Sequence, residues 1–134
     1  MSNSIATGVA YNDPEFSTVY ATAEIGYAAA GQGTVTQATS KSTGVTLNKS
    51  AGQITMNNAA LASVTNVAFT LTNNLISAND VMIVNVAGGA ATAGTYNVFT
   101  STLAAGSATI VLRNISGGSL SEAVVINYAI IHGA

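Results

Sequence analysis

Val67-Ala68-Phe69-Thr70-Leu71-Thr72 is the stretch that decides the class of fold. Its residues Val67, Phe69 and Leu71 fall at every second position, so they share one face of an extended chain, while Ala68, Thr70 and Thr72 share the other. A helix would scatter the same three side chains around its axis, so the pattern reads as a half-buried strand. Working outward, runs rich in β-branched residues recur at 34–38, 45–48, 53–57, 81–86, 95–102, 108–113 and 123–131. Between the later runs stand Gly88-Gly89 with Gly94, then Ala104-Ala105-Gly106-Ser107, then Ser116-Gly117-Gly118-Ser119, all turn-forming. Eight short strands with such punctuation predict an all-β fold, an antiparallel β-sandwich. Helix is favoured only by Asn58-Ala59-Ala60-Leu61-Ala62-Ser63, which at that length supports one turn at most.

The last run carries apolar residues on both faces. Val124, Ile126, Tyr128 and Ile130 line one, and Val125, Asn127, Ala129 and Ile131 line the other. In a two-sheet sandwich the opposite sheet covers only one face, and this chain offers no helical layer for the second. A second subunit is the expected cover, so Val125, Asn127, Ala129 and Ile131 are expected at a homo-oligomer interface.

Residues 1–33 differ from the sandwich domain at 34–134. They hold three of the five acids (Asp13, Glu15, Glu24), the only proline (Pro14) and four of the eight aromatics. The segment ends in Ala28-Ala29-Ala30-Gly31-Gln32-Gly33, small-residue text that suits a hinge. It reads as an N-terminal arm. Tyr11, Phe16, Tyr20 and Tyr27 either cover an open side of the sandwich or anchor in a partner, and aromatic enrichment at binding hot spots favours anchoring.

Only 6% of the 134 residues are charged, against about 25% in an ordinary soluble domain. For 13.3 kDa the folded surface is expected near 6,400 Å², or about one charge per 800 Å². Such a surface suits a subunit covered by other copies or other proteins. No basic footprint exists for a phosphate backbone, so nucleic acid is not expected as a partner. There is no cysteine for a disulfide or a thiolate, no apolar run long enough for a membrane helix, and no basic segment ahead of an apolar one to read as a secretory signal.

Catalytic readings have little to stand on. The one histidine, His132, sits near the end of the chain, where a general base would lack a fixed neighbour. Asp80 and Glu122 read as turn or strand-opening acids, and a glycosidase-like pair would need both across one cleft. No Asp-x-Asp pattern or phosphate loop occurs, so no metal or cofactor is expected. Arg113, the only arginine, is either a solvated strand-end charge or an interchain contact to Glu122 or the terminal carboxylate.

Thr34-Val35-Thr36-Gln37-Ala38-Thr39-Ser40-Lys41-Ser42-Thr43-Gly44-Val45-Thr46-Leu47-Asn48-Lys49 followed by Gly52-Gln53-Ile54-Thr55-Met56-Asn57 resembles a recurrent β-rich module of tailed-bacteriophage virion proteins. Phe69-Thr70-Leu71-Thr72-Asn73, Val111-Leu112-Arg113-Asn114 and Gly118-Ser119-Leu120-Ser121-Glu122-Ala123-Val124-Val125-Ile126 resemble the same module, which covers about residues 34–132. The resemblance implies a virion structural component, a jelly-roll-like or tumour-necrosis-factor-like sandwich that forms a trimer, with no catalytic residues to transfer. A short arm before one compact domain suits a capsid decoration or cement protein, with the major capsid protein as partner and the capsid surface as location. The alternative is a tail-fibre or tail-tip knob that meets a host glycan or protein through hairpin residues such as Tyr96 and Asn97.

Overall fold

The structure is a computed structural model and describes residues 16–133. A short 3-10 turn, Ala29–Gly31, leads into eight strands: β1 (Gln32–Thr36), β2 (Val45–Thr46), β3 (Ala51–Thr55), β4 (Asn66–Thr72), β5 (Val81–Gly88), β6 (Tyr96–Ala104), β7 (Ser107–Asn114) and β8 (Val125–Ile131). Each overlaps one of the eight runs, with bounds within two residues of it. They form two four-stranded sheets packed as a sandwich, ordered β1-β3-β8-β5 and β2-β4-β7-β6.

The expectation of a purely antiparallel, jelly-roll-like arrangement is corrected on one point. The sheets are mixed, because β1 pairs with β3, and β2 with β4, in parallel. The cause lies in how the chain winds. Its first four strands alternate between the sheets, so each return to a sheet runs in the direction of the strand left there, as a crossover requires. The remaining ladders, β3–β8, β4–β7, β5–β8 and β6–β7, are antiparallel. Register shifts at Val86/Gly88 and Thr100/Thr102 mark two bulges that alternation alone does not reveal.

The inward residues form one core. Phe69 and Leu71 of β4 meet Ile110 and Leu112 of β7, with Ile54 of β3 and Ile126, Tyr128 and Ile130 of β8 from the other sheet. Each such side chain contributes on the order of 2 kcal/mol by leaving water. Gly52 makes room for this packing, since a Cβ there would stand 2.7 Å from Leu47 Cδ2 and 2.9 Å from Tyr128 Cε1. The Tyr128 hydroxyl then donates to the Lys49 carbonyl at 3.0 Å. Residues 58–63 form no helical turn: Leu61 instead exchanges backbone hydrogen bonds with Leu120, at 2.8 and 3.0 Å. A segment too short to nucleate a helix yields to pairing across the fold.

Candidate functional site

The outward residues of the first sheet form a broad face without a charged side chain. Register places Ile131 beside Val81, Ala129 between Ile83 and Ala51, and Asn127 between Asn85 and Gln53. One corner is apolar and open, with Val81 59%, Ile83 52% and Ile131 54% exposed. The neighbouring row is amide-rich: Gln53 Nε2 donates to Asn127 Oδ1 at 3.1 Å, and a shallow groove of about 460 Å³ runs over Gln32, Thr34, Gln53 and Asn127. The interface candidates Val125, Asn127, Ala129 and Ile131 all lie on this face, over the central strand β8. Their inward alternates Ile126, Tyr128 and Ile130 are buried, while no second layer of strands or helices covers the outward set among the described residues.

Arg113 lies elsewhere. It stands on the outer face of the second sheet, in register with Asn66 and Asn97, and its Nε is enclosed without a hydrogen-bond partner. It makes no ion pair among the described residues; Glu122 Oε1 instead accepts from the Ala91 amide at 2.8 Å. The terminal carboxylate on Ala134 lies outside the described residues, as does Tyr11.

The rest of the arm is open. Residues 16–30 are exposed throughout, Phe16 to 68% and Tyr20 to 90%. Tyr27 differs, because its hydroxyl donates to the Ile130 carbonyl of β8 and so ties the arm's base to the sandwich. Gln32 Nε2 to the Tyr27 carbonyl (2.8 Å) and Lys49 Nζ to the Ala30 carbonyl (2.8 Å) reinforce that root. Of the two residues suggested for glycan contact, Asn97 is exposed but Tyr96 points inward and is buried, a correction that follows from β6 alternation placing Tyr96 with Val98 on the core side.

Asp80 and Glu122 sit at opposite ends of the sandwich. At one end Asp80 closes a turn, accepting from the Ser77 amide (2.8 Å), the Ser77 hydroxyl (2.8 Å) and the Gly133 amide (3.1 Å), with His132 Nδ1 at 3.2 Å. Serine, histidine and aspartate thus meet, but Ser77 Oγ donates to the carboxylate and not to the imidazole, so this contact does not activate the hydroxyl. Glu122 lies at the other end of β5 from Asp80, beside the loop that follows that strand. There the buried Lys41 amine donates to the carbonyls of Asn57 and Glu122, both at 2.5 Å. Burial lowers the Lys41 pKa, and the Glu122 charge opposes that shift. Sequence reasoning missed Lys41 as a buried staple. It also missed the buried amides Gln37, Asn73 and Asn114. No group of three or more potential metal ligands occurs among the described residues.

The hydrogen bonds from Ser77, first from its amide, hold the Asp80 carboxyl down at about 2, with Gly133 and His132 adding to them. A carboxyl depressed below its unfolded value stabilises the fold above pH ~4 and loses that effect as pH falls through about 2. Asp80→Asn is therefore expected to melt below the parent at pH 6 and to converge with it near pH 2. Thermal melts across that range check this, and a constant gap would contradict it.

Comparison with protein-family models, with curated proteins and with solved structures gives no match.

Proposed function

We propose that this chain is a structural protein of a bacteriophage virion, a decoration or cement protein that associates as a trimer and binds the head shell. The virion assignment rests on the resemblance of residues 34–132. The observation on the molecule that carries the association is the charge-free outer face of β8 and β5, where Val81, Ile83 and Ile131 stand more than half exposed. An exposed apolar patch supports a contact surface there, since such patches are often interaction sites. Three copies joined through it would present three arms, with Phe16 as an open aromatic anchor for the major capsid protein. Weak contacts repeated on one trimer gain avidity through effective concentration.

The test has two parts. Light scattering of the purified chain is expected to give about three times 13.3 kDa, and Ile131→Asp to shift the mass toward one copy. Immunogold labelling of particles is expected over the head. Signal only at the tail would favour a knob, the reading to which the amide-lined groove over Gln32, Thr34, Gln53 and Asn127 lends itself as a sugar-sized polar surface.

A further inference from the structure

Thr18-Val19-Tyr20-Ala21-Thr22-Ala23-Glu24-Ile25 alternates as regularly as any strand of the sandwich. Val19, Ala21, Ala23 and Ile25 fall on one side, and Thr18, Tyr20, Thr22 and Glu24 on the other. Yet none of these residues is in a strand, and all are exposed. A segment patterned for half-burial but left unpaired within its own chain lacks a sheet to join.

The sandwich offers one edge that fits it. β5 is an edge strand of the first sheet, eight residues long, and no charged residue or proline occurs anywhere between Asp80 and Arg113. Free edges are normally blunted by charge, proline, short length or a central bulge. β5 has none of the first three, and its bulge lies at its far end, after Val86. The other edges fit less well: β6 is bulged at mid-strand, β2 is two residues long, and β1 is a five-residue strand whose outward residues, Gln32, Thr34 and Thr36, are polar.

We infer that residues 18–25 of one copy add as a strand to the β5 edge of a neighbouring copy, so that the oligomer is held by exchanged arms. This rests on the self-association proposed above and names the partner of residues 18–25 alone. Both segments have eight residues and span roughly 26 Å when extended. Val19, Ala21, Ala23 and Ile25 would face inward beside Val84 and Val86, which are half-buried and pack against the core. Tyr20 and Thr22 would stand outward near Val81 and Ile83. The ladder would supply roughly eight main-chain hydrogen bonds per arm. Exchange of one identical element between protomers is a low-cost route to a closed oligomer. The stretch before Thr18, with Phe16, is left for the shell.

The absence of cysteine makes the chain a clean background for crosslinking. One sample carries Thr22→Cys alone; others carry Val81→Cys, Ile83→Cys or Asn85→Cys alone, all outward on β5, with Thr34→Cys on β1 as the opposite-edge control. Mixed after joint refolding and oxidised, the Thr22→Cys chain is expected to form a mixed disulfide with at least one β5 variant and not with the β1 variant. Joint Thr22→Pro and Ala23→Pro, neighbours whose N–H groups face opposite edges so that one of them is a ladder donor, is expected to raise the dissociation constant of the oligomer about 100-fold. A trimer by light scattering that forms no β5 crosslink and is indifferent to the Thr22→Pro, Ala23→Pro pair would overturn the exchange and leave the proposed trimer standing. A monomeric full-length chain would overturn both.

Discussion

Asn114→Ala is expected to lower the unfolding free energy by about 3 kcal/mol, an unusually large loss for a residue with no apolar surface to remove. Asn114 is the last residue of β7, is wholly buried, and falls on the inward side after Ile110 and Leu112. Its side-chain nitrogen lies within hydrogen-bond distance of three carbonyls, those of Leu61 (2.9 Å), Ala62 (3.1 Å) and Gly118 (2.8 Å). Its oxygen accepts from the Ser116 amide at 2.9 Å and the Ser116 hydroxyl at 2.7 Å. One amide therefore holds two loops against the end of the sandwich, and alanine would leave several of those backbone groups enclosed without partners. Denaturant unfolding checks the size, with exposed Asn97→Ala as the control expected to stay within ~0.5 kcal/mol of the parent. A loss under 1 kcal/mol at Asn114 would mean that water replaces the amide and that the loops are not held by it.

The position of Asn114 also shows what alternation can and cannot convey. Carried past the apolar residues, the period of two runs Phe69-Leu71-Asn73 and Ile110-Leu112-Asn114, so both asparagines are inward by pattern, and both are buried. A polar residue on the inward phase is a signal of a satisfied internal amide that sequence reading can use. The faces of β8 were equally legible, because period two fixes which residues share a side. Neighbour and direction were not. Nothing in Thr34–Thr36 or Val45–Thr46 says that those strands pair in parallel, since the cause is the alternation of the chain between sheets and not a local preference. Turn-like text also concealed the Lys41 staple, because a lysine among serines and threonines reads as solvated until Asn57 and Glu122 are brought beside it.

Alkali is expected to destabilise the fold. Burial pushes the Tyr128 phenol up to about 12, against a smaller opposing effect of the neighbouring Asn73 amide. Burial, and after it the Glu122 carboxylate, raises Tyr96 to about 12 as well. A phenol whose folded value lies above its unfolded value of 10.0 contributes stability that is fully present below pH 10 and is lost as pH rises toward 12. At 1.4 kcal/mol per pKa unit, discounted for the solvent that still reaches both rings, the two together withdraw on the order of 3 kcal/mol, a sizeable share of the stability of a small domain. Lys41 acts in the opposite sense, because its folded value lies below 10.5 and deprotonation relieves the burial of its charge, but one partly compensated amine does not offset two phenols. Unfolding free energies measured by denaturant at pH 9 and at about pH 11.5 are expected to differ by up to about 3 kcal/mol. Tyr96→Phe, whose hydroxyl has no well-formed hydrogen bond to lose, is expected to leave stability at pH 9 nearly unchanged and to remove about half of the alkaline loss. Tyr128→Phe gives up its bonds to the Leu47 and Lys49 carbonyls and is expected to cost about 1 kcal/mol at pH 9 while removing the other half. If the double variant unfolds at the same alkaline pH as the parent, the two phenols are not what limits the fold there, and the buried positions of Tyr96 and Tyr128 lose their energetic meaning.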